Sequence, residues 1–217
     1  MKTLDKFITR EFSNPGKSNV ISTNFMTVSS HHVASSVGIE ILKNGGNAVD
    51  AALAMSAVLC VAEPHMTGIG GDCFAMLSTD GSSNIKALNA SGKSSENSNA
   101  SYLRNNGIKI IKPEMPDAIT IPGAVAGWSL LHKEHGYMPW NEIFQPAINH
   151  AKSGIIVHER VAYDWAKNTE KLLADTDTSK IFLNGKKPFG VMENFKNIKL
   201  SKTFETIASE GIEGFYN

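Results

Sequence analysis

From His32 onward the chain alternates apolar and polar positions with a helical period. Val33, Ala34, Val37, Gly38, Ile41 and Leu42 form one stripe, which predicts a helix over residues 32–43 with one buried face. Ser29 or Ser30 is placed to cap its start, and Gly45-Gly46 to supply a left-handed stop. Asn47 opens a second helix, with Asp50 three residues on as the partner of a capping box. Residues 48–62 are apolar nearly all round, so this helix should be buried on most faces. Pro64 ends it by pushing Glu63 out of helical geometry.

A glycine-rich loop, residues 67–72, leads into two short β-patterned runs, 73–78 and 84–89, with Asp80-Gly81 as the turn signal between them. Residues 90–107 are polar and read as a surface excursion, and 118–121 as a short strand. Helices are then predicted from Pro122-Gly123 to about Glu134, from Pro139 to Gly154, from about Glu159 through Leu173, and from Ser201 to Ser209. Their inward positions include Ile143, Phe144, Ala147, Ile148 and Ala151; Val161, Ala162, Trp165, Ala166, Leu172 and Leu173; and Phe204, Ile207 and Ala208. Asn184-Gly185 is a turn. Residues 1–26 read as an irregular segment with a turn at Asn14-Pro15-Gly16. No internal repeat or interdomain linker stands out. The picture is a mixed α/β chain in which helices dominate.

Composition narrows the function classes. The 217 residues carry 21 basic and 21 acidic side chains, spread along the chain. That balance argues against a nucleic-acid or anionic-membrane surface. The longest apolar stretch, residues 48–62, is short of the roughly 20 residues that a spanning helix needs. Residues 1–17 are charged throughout without the apolar run of a secretory signal. Cys60 and Cys73 fit no metal spacing and read as buried free thiols, which points to a reducing, cytoplasmic location.

The residues alone suggest no reaction. In the loop 67–72 the order is helix, glycines, strand, the reverse of a dinucleotide-binding loop. Its glycines read instead as a tight backbone passage. His31, His32 and His65 with Asp72 lack metal-ligand spacing, and the adjacent His31 and His32 should point to different faces. They read as surface or cap histidines, and no metal or cofactor is expected. The hydroxyls of Ser29 and Ser30 beside those imidazoles do not make a triad, and no nucleophile elbow is present.

Several ordered strings do carry a resemblance. Residues 31–35 (HHVAS), 41–52 (ILKNGGNAVDAA), Glu63-Pro64-His65 and 68–71 (GIGG) with Phe74 resemble the opening blocks of the gamma-glutamyltranspeptidase family. Residues 121–128 (IPGAVAGW), 139–154 and 211–216 resemble further blocks in the same order. The resemblance covers about residues 27–217.

It implies an N-terminal-nucleophile hydrolase fold, an αββα sandwich, of which this chain would be an incomplete, helix-rich N-terminal portion. Residues 27–217 would be part of the large subunit. Family members are precursors that cleave themselves into a large and a small subunit, and the small subunit's new N-terminal threonine is the nucleophile, with its own amino group as base. The acyl-enzyme passes a γ-glutamyl or related group to water or an amino acid. The partner implied is the small subunit of the same precursor, and the substrate a small amide. No catalytic residue is expected in this chain, because the threonine would lie beyond Asn217. The resemblance places one pocket residue here, an arginine that grips the substrate α-carboxylate just after the second strand. Ser91 stands at that position, with Asn89 before it and Lys93 two places on. Lysine does not reproduce the planar guanidinium fork. Asn89, Ser91 and Lys93 are therefore the candidate substrate-binding residues, and the missing arginine points toward the acylase-like branch. Lys93 reads equally as a solvated surface charge. The alternative for the chain is a non-catalytic scaffold or interaction role.

Overall fold

The computed structural model describes residues 19–113 and 115–217. The turn expected at residues 14–16 lies outside them. A hairpin of two helices, α1 (His32–Lys43) and α2 (Ala48–Ala62), stands at the centre. Gly45 takes φ +93° at the turn between them, a conformation that costs glycine nothing. Asn47 caps α2 through a full capping box: its side chain accepts from the Asp50 amide at 3.1 Å, and the Asp50 carboxylate accepts from the Asn47 amide at 2.9 Å. The predicted burial of α2 is met, because ten of its fifteen residues are buried.

Helices α4 (Ala124–His135) and α5 (Trp140–Ser153) pack against α2 of this hairpin, and α9 (Ile198–Glu210) packs on α5. On α5 the buried positions are the predicted Ile143, Phe144, Ala147, Ile148 and Ala151. Phe144 sits between the rings of Trp140 and Phe204, at 4.6 and 6.0 Å. The Trp140 indole donates to the Ile207 carbonyl at 2.8 Å, tying α5 to α9. A second, smaller cluster gathers Val161, Ala162, Trp165 and Phe195, and Val33 of α1 packs against both clusters.

The strands are few. β1 (Cys73–Leu77) and β2 (Lys86–Ala90) pair antiparallel, with Cys73 opposite Ala90. The pairing starts two residues later in β2 than the pattern suggests, and the connection is a long loop instead of a tight turn at Asp80-Gly81. One face of the pair, with Cys73 and Leu88, meets Gly127 of α4. The other leaves Phe74 63% and Met76 77% exposed. β3 (Ile155–Ile156) pairs with β6 (Asn194–Phe195), and β4 (Leu183–Asn184) with β5 (Lys187–Pro188) around the predicted turn at Gly185.

Four expectations are corrected. The predicted helix from Glu159 through Leu173 is broken at Asn168 into α6 (Glu159–Lys167) and α7 (Thr169–Leu173), leaving Ala166 and Leu173 exposed. Residues 119–121 form no strand; Ile119 and Ile121 are exposed, and a turn of 3-10 helix, Pro116–Ala118, precedes them. The polar excursion contains a short helix, α3 (Ala100–Asn105), capped by Asn99. Finally, side chains at Gly68 and Gly70 would meet nothing within 4 Å, so that loop is no tight passage. The short helices α8 (Thr176–Phe182) and α10 (Glu213–Tyr216) had no clear pattern.

Candidate substrate groove

Sequence order places Asn89, Ser91 and Lys93 at the exit of β2, and the fold turns that exit into the wall of a groove of about 590 Å³. The Asn89 side chain accepts from the Ser91 amide at 3.1 Å. The Ser91 carbonyl accepts from the Thr120 hydroxyl at 3.1 Å, and the Lys93 carbonyl from the Ile121 amide at 2.9 Å. These bonds use the backbone of Ser91, not its hydroxyl. Between them Gly92 adopts φ +78°, and a β-carbon there would lie 1.9 Å from the Ile121 carbonyl oxygen. Only glycine fits.

The opposite wall is the start of α4. A β-carbon on Gly123 would lie 2.2 Å from the Ala90 carbonyl oxygen, so β2 and α4 meet backbone to backbone. The first α4 amides find partners outside the helix, as helix N-termini require. Gly123 and Ala124 donate to the Gly71 carbonyl at 2.9 and 3.0 Å. This is the role that the structure assigns to the glycine-rich loop. The Ala126 amide donates to the Tyr216 hydroxyl at 3.2 Å, and that hydroxyl donates to the Pro122 carbonyl at 2.6 Å. Tyr216 and Ile212 close the groove.

The lining is mainly apolar, and among the described residues Lys93 is its one charged side chain. Among the described residues no arginine lines it. The three candidates thus share one surface, with Asn89 and Lys93 exposed and Ser91 half-buried. Sequence reasoning missed Ile121, Ala126, Ile212 and Tyr216 as groove residues. The signal available was that two of the resembling blocks, 121–128 and 211–216, hold all four.

His31 meets the cap reading, and the histidines otherwise depart from expectation. His31 is fully buried and caps α1, its Nδ1 accepting from the Val33 amide at 3.2 Å, so neither Ser29 nor Ser30 is the cap. Its ring stacks on His32 at 4.7 Å, so the two adjacent imidazoles share a face. Among the described residues no group of His, Cys, Asp or Glu has metal-binding geometry. Cys60 and Cys73 are free thiols, the first buried and the second half-buried. No helix among the described residues is long and apolar enough to cross a membrane.

The family model described as gamma-glutamyltranspeptidase matches residues 34–217. The chain belongs to that family. The glutathione hydrolase-like YwrD proenzyme of Bacillus subtilis (strain 168) is 35% identical over 198 residues, covering 91% of this chain and 38% of that protein. The gamma-glutamyltranspeptidase of Helicobacter pylori superposes with a TM-score of 0.85 at 27% identity, over 92% of this chain and 58% of the other. A cephalosporin acylase from Bacillus halodurans gives a TM-score of 0.80 at 28% identity, over 94% of this chain and 40% of the other. The fold is therefore of the N-terminal-nucleophile hydrolase type, and the described residues are rich in helices with few strands. The chain spans little more than a third of the length of the Bacillus subtilis relative.

Proposed function

We propose that the protein to which this chain belongs hydrolyses or transfers an acyl group from a small amide, by way of an acyl-enzyme on the N-terminal threonine of a small subunit cut from the same precursor. Residues 27–217 act as part of the large subunit and supply one wall of the acyl site. The exposed Phe74 and Met76 face of the β1–β2 pair offers apolar surface to that partner. Two free thiols suit a reducing, cytoplasmic setting. The 217-residue chain alone is inactive in this reading, because neither covalent catalysis nor the oxyanion donors of the small subunit are available to it.

One observation carries the substrate preference. Ser91 stands on the groove wall where the family resemblance calls for an arginine, and among the described residues the surrounding surface is mainly apolar with Lys93 as its one cation. An α-carboxylate entering such a surface would be desolvated without a bidentate partner, at a cost of several kcal/mol. A serine hydroxyl returns about 0.5–1.5 kcal/mol, against about 1.5–3 for a charged hydrogen bond. The preferred acyl group therefore lacks an α-carboxylate, and likeness to a cephalosporin acylase supports this. The test is kcat/KM of the full protein for glutathione against a simple glutaryl amide. A higher value for the glutaryl amide is expected. A strong preference for glutathione would overturn the reading of Ser91, and turnover of neither would favour a non-catalytic role.

A further inference from the structure

Away from the groove, two helices begin on facing imidazoles. His31 caps α1 and His158 caps α6, and each accepts a backbone amide through Nδ1 at 3.2 Å, from Val33 and Arg160 respectively. Their ring centroids are 4.5 Å apart, and His32 stacks on His31 at 4.7 Å and lies 6.0 Å from His158. A backbone N–H can only donate, so each Nδ1 must keep its lone pair and each ring must be neutral. An imidazolium would lose the cap. It would also place positive charge on the positive end of a helix dipole and against a second such ring.

We propose that His31 and His158 form an acid-sensitive clasp that holds the starts of α1 and α6 together when neutral and releases them on protonation. The clasp lies where the two apolar clusters meet, since Val33, whose amide His31 caps, packs against both. It borders a broad groove of about 1360 Å³ between these elements.

The surroundings define the sign. His31 is faced by His158, His32 and, from α5, His150; burial and these three rings push its pKa down to about 4. Burial also lowers His158 and His150. The carboxylates nearby act in the opposite sense: Glu63 and Glu159 on His158, and Glu40 on His150. Burial outweighs them, and Glu63 is engaged by the Ser30 hydroxyl. His65, another neighbour of His158, donates from Nε2 to the Asp164 carboxylate at 3.2 Å, and Asp164 also holds Arg160 at 2.6 Å. An unfolded imidazole binds its proton near 6.5, and folded His31 only near about 4. Between these values the released chain holds more protons, so the clasped state weakens as the pH falls and is strongest above 6.5. For His31 that interval corresponds to a loss of at most roughly 300-fold in the closing equilibrium.

Hydrogen exchange of the full protein, corrected for the intrinsic pH dependence, measures this directly. Between about pH 7.5 and about pH 4.5, protection of the Val33 and Arg160 amides should fall by roughly tenfold or more, ahead of the α5 core amides. A double variant His31→Asn, His158→Asn keeps capping side chains that do not titrate, and its protection at these sites should lose the acid dependence. An equal acid dependence in the double variant, or simultaneous loss in α5, overturns the proposal. Should the double variant not fold, proton NMR titration of the unaltered protein decides. One imidazole titrating near about 4 and a second below 6.5 supports the clasp, and all histidines titrating at or above 6.5 sinks it.

Discussion

The Tyr216 hydroxyl accepts the Ala126 amide at 3.2 Å, joining residues 90 positions apart in the chain. The same oxygen donates to the Pro122 carbonyl, so one phenol caps α4 and closes the candidate groove. Tyr216→Phe removes the oxygen and keeps the ring. It should destabilise the full protein by about 1 kcal/mol and raise KM more than it lowers kcat. Urea unfolding and steady-state kinetics check this. Unchanged stability and KM would show that the hydroxyl contributes to neither.

Replacing Ser91 with arginine supplies a guanidinium that the described groove residues lack. In the full protein Ser91→Arg should raise kcat/KM for glutathione by roughly tenfold or more and leave a glutaryl amide unimproved. Kinetics on the two substrates read the effect. An equal change for both would indicate a general disturbance of the wall.

Gly92→Ala tests the wall itself. The new β-carbon would collide with the Ile121 carbonyl at a left-handed φ, so a loss of about 2 kcal/mol or more is expected. Gly81→Ala, also at positive φ but with open space around it, should cost about 1 kcal/mol. Denaturation of both variants ranks them, and equal losses would mean that the backbone contact is not what constrains residue 92.

Asp50 is fully buried. Its carboxylate accepts from the Asn47, Tyr137 and Met138 amides at 2.9 to 3.2 Å. Asp50→Ala strands three amides and should cost about 3–5 kcal/mol. A loss below about 1 kcal/mol in urea unfolding would contradict this accounting.

Burial pushes the Cys60 thiol from 9.0 up to about 12. The thiolate is the reactive form, so alkylation of native Cys60 near neutral pH should run roughly 1000-fold slower than that of an unfolded thiol. Mass spectrometry after timed iodoacetamide exposure checks this, and rapid native labelling would place Cys60 in contact with solvent.

The strongly periodic elements were legible in advance. The α5 stripe, the α2 capping box and the glycine stop after α1 each depend on neighbours within a few residues, so pattern and spacing suffice. Where the pattern failed, distant partners decided. The predicted helix breaks at Asn168, with Val161, Ala162 and Trp165 packed with Phe195 and Leu173 left exposed. His31 displaces the expected serine cap because its ring is enclosed by His158, from a helix more than a hundred residues later.

The same division runs through the candidate groove. The sequence by itself determined that Ser91 follows the second strand where an arginine would stand in the resembling family, since that is a matter of order along the chain. Only the tertiary structure decided that Ser91 shares a groove with Ile121, Ala126 and Tyr216. Those contacts depend on backbone approaches at Gly92 and Gly123 and on a hydroxyl from residue 216, and a local hydrophobic pattern carries no record of a partner so far along the chain.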